Sequence, residues 1–344
     1  MARTLWARRA TGGATKRKRD DVDEALDAAA AAGDAAMLAA LEPSVLVAAA
    51  DRVALTAAKG GHAAWLRLLH ERGAGASLSA AARPSILEGV KGGRTPAHEA
   101  ALGGHEGCLR VLHELGAGAS LSAATPNGVT PAHEAATDGH EGCLRALHEL
   151  GAGASLSAAR KDGTTPTHDA AHGGHEGCLR VLHELGAGAS LSAADGTGTT
   201  PAHYAAEQGH EGCLRALGDL GAAAGSFGAM DTVKGTPAHC AAEGGHAGCL
   251  VVLHEGLSAA IKPIIDALNQ FPLALVNDAI VGLEANQALA RLARAEDEDE
   301  DEEAEENTPA EVAAGMVHID CLRVFMGIPG AMTRLFDSVT QHPE

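Results

Sequence analysis

Histidine and cysteine recur together along this chain in a pattern that first suggests metal chemistry. His98, His105, Cys108 and His113 lie close in sequence, and the same set returns in later segments. Imidazole nitrogens and thiolates are the usual zinc donors. The spacing opposes a closed site, because His98 and His105 would begin different helices and Cys108 falls on the apolar stripe of the second. No Cys-x-x-Cys pair is present either. Disulfides are equally disfavoured. Cys108, Cys143, Cys178, Cys213, Cys249 and Cys321 occupy one repeated position. Stacked helices lie about 8–10 Å apart, whereas bridged Cα atoms must approach within about 7 Å. Those residues read as small core side chains, and Cys240 stands apart at the position held elsewhere by Glu99, Glu134, Asp169 and Tyr204. There is no nucleophile elbow, phosphate-binding glycine loop or isolated Ser/His/Asp set. An active site needs its residues once, and here each candidate recurs. The expectation is a non-enzyme with no catalytic residue, no metal and no cofactor.

The elements that would carry these residues follow from a repeat. Thr-Pro-(Ala/Thr)-His occurs at Thr95, Thr130, Thr165, Thr200 and Thr236, at successive spacings of 35, 35, 35 and 36. Thr95 suits a helix N-cap and Pro96 the first helical position, where its missing N–H is no loss. A first helix then runs to about Leu102, where Gly103 and Gly104 end it. Glu106 favours the start of a second helix, and Gly116 supplies a left-handed stop near Leu115. Helices this short are marginal alone, so Ala97, Ala101, Cys108, Leu109 and Leu112 must be buried against neighbouring copies. A linker, Gly-Ala-Gly-Ala-Ser-Leu-Ser-Ala-Ala, closes copies at Gly116, Gly151 and Gly186.

The Thr-Pro-Ala-His-Glu-Ala-Ala and Gly-His segments resemble the ankyrin-repeat family, with Ala often standing where Leu is usual. The resemblance implies an all-α ankyrin-repeat solenoid of stacked helix-turn-helix units. It also implies edge turns over 125–129, 160–164, 195–199 and 231–235. By the same resemblance, the histidine of Thr-Pro-Ala-His would hydrogen-bond within and between repeat turns, and His105 and its equivalents would help start the second helix. The turns and first-helix surface would line a concave groove that binds a protein partner. Positions that differ between copies are then candidate partner contacts. At the turns these are Val129, Thr164 and Thr199, with Arg94. Along helix one they are Leu102, Thr137, Asp138, His172, Glu207 and Gln208, with Glu243. Glu99, Glu134 and Asp169 would add an acidic row, with Tyr204 at the same position. The function expected is non-catalytic protein–protein interaction; an adaptor subunit delivering a client to an enzyme complex is the alternative.

Weaker copies extend the pattern. Leu55–Ala58 with Gly61–His62 lacks Thr-Pro, and residues 25–41 have the layout of a polar cap. The division expected is a basic tail over 1–22, the array with its cap over 23–255, a degenerate repeat over 256–295, an acidic loop over 296–307 and a terminal repeat over 308–344. An insertion lies near Arg83 to Gly93. The formal charge is −19 over 344 residues, and aromatics are only 2%. Residues 1 to 19 hold seven Lys/Arg and no acid, so the other 325 carry −26. A body this acidic repels nucleic acid and favours a basic protein partner. Neither a secretory signal nor an apolar membrane-spanning stretch is apparent. These features point to an intracellular monomer, cytoplasmic or nuclear. Lys16–Arg17–Lys18–Arg19 matches a nuclear-import patch, with an organellar transit peptide as the competing reading of the tail.

Overall fold

A computed structural model describes residues 26, 28–34, 43–80, 92–233 and 235–268. The tail over 1–22, the insertion near Arg83, most of the degenerate repeat, the acidic run and the terminal repeat lie outside the described residues. Two compact units divide at Lys161 and Asp162. Helices and turns make up both, with no strand among the described residues.

In the first unit, helices Pro43–Lys59 and Ala63–Glu71 precede two complete repeats. The repeat at Thr95 holds helix one, Pro96–Leu102, and helix two, Glu106–Glu114. The repeat at Thr130 holds Pro131–Thr137 and Glu141–Leu147. Helix one begins on a capping box in which Thr95 accepts from the third-position N–H and His98 accepts from the Thr95 N–H. Both helices end on paired bonds around a glycine. His105 N donates to Ala100 O at 2.8 Å past Gly104 (φ 73°), and Ala117 N donates to Leu112 O at 2.9 Å past Gly116 (φ 81°). Helix one packs on helix one of the next repeat, and helix two on helix two. The core this creates is made of Ala97, Ala100 and Ala101 from helix one and Cys108, Leu109 and Leu112 from helix two. Each buried leucine is worth about 1.5–3 kcal/mol, and segments of seven to nine residues need it.

The linker has structure of its own. Gly118–Leu121 forms a short helical turn that buries Leu121, and Ser120 Oγ donates to Ala117 O at 2.7 Å. The same turn recurs at Gly153–Ser157 and, in the second unit, at Gly188–Leu191.

In the second unit, helices Pro166–His172 and Glu176–Leu182, Pro201–Glu207 and Glu211–Asp219, then Pro237–Glu243 and Ala247–Leu268 repeat this plan. The last helix runs through the expected boundary at 255/256. Earlier copies place a left-handed glycine two residues after His-Glu or Gly-Asp, at Gly116, Gly151, Gly186 and Gly221. Here the glycine comes one residue early, as Gly256, and Leu257–Ser258–Ala259 continues the helix. The copy lacking Thr-Pro departs in the opposite direction: with no cap near Val53, its first helix reaches back to Pro43.

Candidate functional site

The repeated histidines serve the backbone. In the first unit His98 Nδ1 accepts the Thr95 N–H at 3.1 Å, and its Nε2 donates to Val129 O in the next turn at 3.0 Å. His168 and His203 repeat this in the second unit, toward Thr199 O at 3.2 Å and Gly235 O at 3.3 Å. Burial lowers the His98 pKa to about 4, against the raising effect of its bond to Val129, and lowers His168 and His203 in the same sense. Such rings are neutral cross-ties.

The Gly-His histidines stand at the N-cap of helix two, where the His105 carbonyl accepts the first helical bonds, but their rings turn elsewhere. His105 makes no side-chain cap to helix two. Its Nε2 reaches back to Lys59 O at 2.9 Å, satisfying a carbonyl at the end of the preceding first helix. His140 does the same to Leu102 O, and in the second unit His210 to His172 O and His246 to Glu207 O, each at 3.0 Å. In the helices that follow His105, His140 and His210, an acidic first turn, Glu106, Glu141 or Glu211, meets the positive end of the backbone dipoles.

The acidic row is not an exposed one in the first unit. Glu99 is 1% exposed and Glu134 6%. Arg94 bridges them, with a 3.3 Å contact to Glu99 and a close ion pair to Glu134. Burial pushes the Glu134 carboxyl up while Arg94 opposes the shift. Carboxylates held this way tie one repeat to the next and show little charge to solvent. Leu102 and Val129 are half-buried, whereas Thr137 and Asp138 are exposed at the end of helix one.

In the second unit two expected contact residues, His172 and Tyr204, lie against each other. Tyr204 is half-buried, its ring centroid 5.8 Å from that of His168 and 5.9 Å from that of His172, both edge-on. Its hydroxyl donates to Asp195 Oδ2 at 3.0 Å, and burial together with that carboxylate raises its pKa. Asp195 also accepts from the backbone N–H of Thr197 and Thr199. Burial alone would raise the Asp195 carboxyl, but the bonds from Thr197, Thr199 and Tyr204 outweigh it and hold the pKa below the usual range. His172, Glu207 and Gln208 are exposed, and Asp169 and Thr199 half-buried. Thr164 is buried at 8% exposure, and its hydroxyl donates to Asp162 Oδ1 at 2.6 Å.

The turns expected at 125–129, 195–199 and 231–235 close by N–H to C=O bonds of 2.9 Å each. Neighbouring turns are also stitched: Lys161 N to Asn127 O at 3.1 Å in the first unit, Gly196 N to Asp162 O at 2.7 Å in the second.

The cysteines behave as core. Cys108, Cys143, Cys178, Cys213 and Cys249 are buried and form no disulfide. Burial pushes Cys108 up to about 11 and Cys143 and Cys213 up to about 12. Cys240 is half-buried, and burial with nearby Glu243 raises it to about 12, the reverse of what a reactive thiolate requires. Among the described residues no group of three or more His, Cys, Asp or Glu could hold a metal ion.

Residues 54–158, 116–195 and 148–227 each match the family model described as ankyrin repeats, three copies. The matches together run over 54–227, which is 174 of 344 residues. The chain belongs to the ankyrin-repeat family. No curated protein matches the chain. Ankyrin repeats generally mediate protein–protein interaction and are typically non-catalytic. Asp195 is a residue of this ankyrin array that motif reasoning passed over. Its signal was present as Asp195–Gly196 with Thr at 197 and 199, the composition of a side-chain-stabilised turn. No helix among the described residues is long and apolar enough to cross a membrane.

Proposed function

We propose that this chain is a non-catalytic, monomeric module that binds a protein partner through the helix-one and turn face of its repeats, and that it does not bind nucleic acid. One observation carries the reading. The shared Thr, His and Ser side chains bond inward to backbone, whereas residues that differ between copies surface where helix one ends: Thr137 and Asp138 in the first unit, His172, Glu207 and Gln208 in the second. Leu102, Val129, Asp169, Thr199 and Tyr204 supply half-buried contact area beside them. Glu99, Glu134 and Thr164 support the face from beneath. The chain's net charge of −19 disfavours phosphate backbones.

The test is affinity capture with quantitative mass spectrometry, using wild type and a variant carrying Thr137→Ala, Asp138→Ala, His172→Ala, Glu207→Ala and Gln208→Ala. All five sites are exposed, so far-UV circular dichroism should be unchanged. Proteins captured by wild type should be lost from the variant. Retention of the same proteins at the same level would refute the assignment of this face.

A further inference from the structure

The two units present different charge on the same elements. In the two Thr-Pro repeats of the first unit, turns and first helices carry Glu99, Glu134 and Asp138 against Arg94, three acids to one base. The acids at the centre of that face are buried under Arg94. In the second unit the same elements carry Asp162, Asp169, Asp195, Glu207, Asp231 and Glu243, six acids, against Arg160 and Lys161, which open the 160–164 turn immediately before Asp162. Lys234, outside the described residues, would bring that balance from −4 to −3. The unit's other described basic side chains lie on helix two, and Arg180 there pairs with Glu176 at 2.9 Å and Asp219 at 3.1 Å.

Within this acidic face stands the only tyrosine of the chain. Tyr204 is oriented from three sides, by His168, His172 and Asp195, and keeps part of its surface in solvent. A fixed aromatic ring with carboxylates around it suits a cationic side chain, which gains from the ring's negative face and from the surrounding field. A rigid, half-buried aromatic near the middle of a face is also where binding energy concentrates.

We propose that the helix-one and turn face of the second unit takes a basic segment of the partner protein, with a Lys or Arg side chain seated against Tyr204 between Asp195 and Glu207. This rests on the binding face assigned above and names the chemistry it selects.

Fluorescence anisotropy of the full chain with a labelled peptide of Lys, Arg and Ala, against the same peptide with Gln for every Lys and Arg, tests it. Wild type should bind only the charged peptide, and more weakly as salt rises. Tyr204→Ala should weaken binding about tenfold. Tyr204→Phe, which keeps the ring and guards against misfolding, should change it by less than about twofold, since the exposed part of the ring is retained. Glu207→Gln with Glu243→Gln should slow association and flatten the salt dependence, and Asp138→Asn in the first unit should do neither. Equal affinity of all variants, or equal binding of the Gln peptide, would overturn the proposal. So would abolition of binding on deleting residues 296–306 alone, which would make the acidic run the site. Replacing Lys16–Arg19 by Ala should leave the affinity unchanged; a large gain would mean that the chain's own basic segment fills the face. Failure with the peptide while the captured proteins still depend on Thr137, Asp138, His172, Glu207 and Gln208 would remove the basic-segment claim and leave the binding face standing.

Discussion

His98 shows how much of this fold rests on one unprotonated ring. Its Nδ1 must accept the Thr95 N–H, so a proton there would set two donors against each other. The folded pKa of about 4 lies below the ordinary value of 6.5. A depressed histidine leaves stability intact above 6.5 and removes it as pH falls from 6.5 toward 4, because the unfolded chain takes up the proton first. The gap amounts to about 3 kcal/mol for His98 once pH is below both values. His168 and His203 add to the loss in the same direction. Urea midpoints should therefore hold steady above pH 6.5 and drop through that window. His98→Gln keeps a capping-box acceptor at the third helical position without a titrating group, so its midpoint should start lower and decline less steeply. A parallel decline in both proteins would contradict the role given to this ring. That such a histidine would tie turns together followed from the family resemblance. The burial of Glu99 and Glu134 did not, because a carboxylate reads as surface until its cation is seen, and Arg94 sits 40 residues from Glu134.

At the scale of elements, glycine marks two mechanically different positions. Gly186 ends helix two at φ 92°, and a Cβ there would meet nothing within 4 Å. Gly163 lies in a turn at φ 88°, where a Cβ would lie 2.6 Å from Gly196 N and 3.0 Å from the Asp195 backbone. Gly186→Ala should cost only the left-handed backbone penalty, about 1–2 kcal/mol. Gly163→Ala should cost more than about 2 kcal/mol, because backbone cannot swing aside as a side-chain tip can. Chemical denaturation of the two variants measures the difference, and equal losses would show that the turn–turn contact is loose. Helix starts and helix stops were legible in the sequence, since Thr-Pro and Gly act through a few neighbouring residues, whereas the edge turns came from the family resemblance. Less legible was anything that depends on the adjoining repeat. His105 starts helix two as the resemblance implied, but its ring also ties back to Lys59, and Gly-Ala-Ser-Leu looked like a spacer and buries Leu121. The shift of one glycine to Gly256 was visible as well, yet its effect, a continuous Ala247–Leu268, depends on the helix-forming residues that follow.

Across the whole molecule, the exposed ion pairs of helix two, such as Arg67–Glu114 at 2.6 Å and Arg110–Glu149 at 2.8 Å within the first unit, contribute little stability each. In His98, His168 and His203 both ring nitrogens are engaged by the backbone, which leaves these rings no lone pair for a metal. Adding EDTA should leave the circular dichroism signal at 222 nm unchanged; its collapse would return the histidines to a metal-binding role. In each unit the residues that differ between copies reach solvent at the ends of the first helices, Thr137 and Asp138 in the first and His172, Glu207 and Gln208 in the second. The most direct test of that account places a photo-crosslinking amino acid, benzoylphenylalanine, either at exposed Gln208, which caps helix one, or at exposed His183, which follows helix two. The captured partner should crosslink from position 208 and not from position 183. Crosslinking from 183 alone would place the partner on helix two and contradict the account.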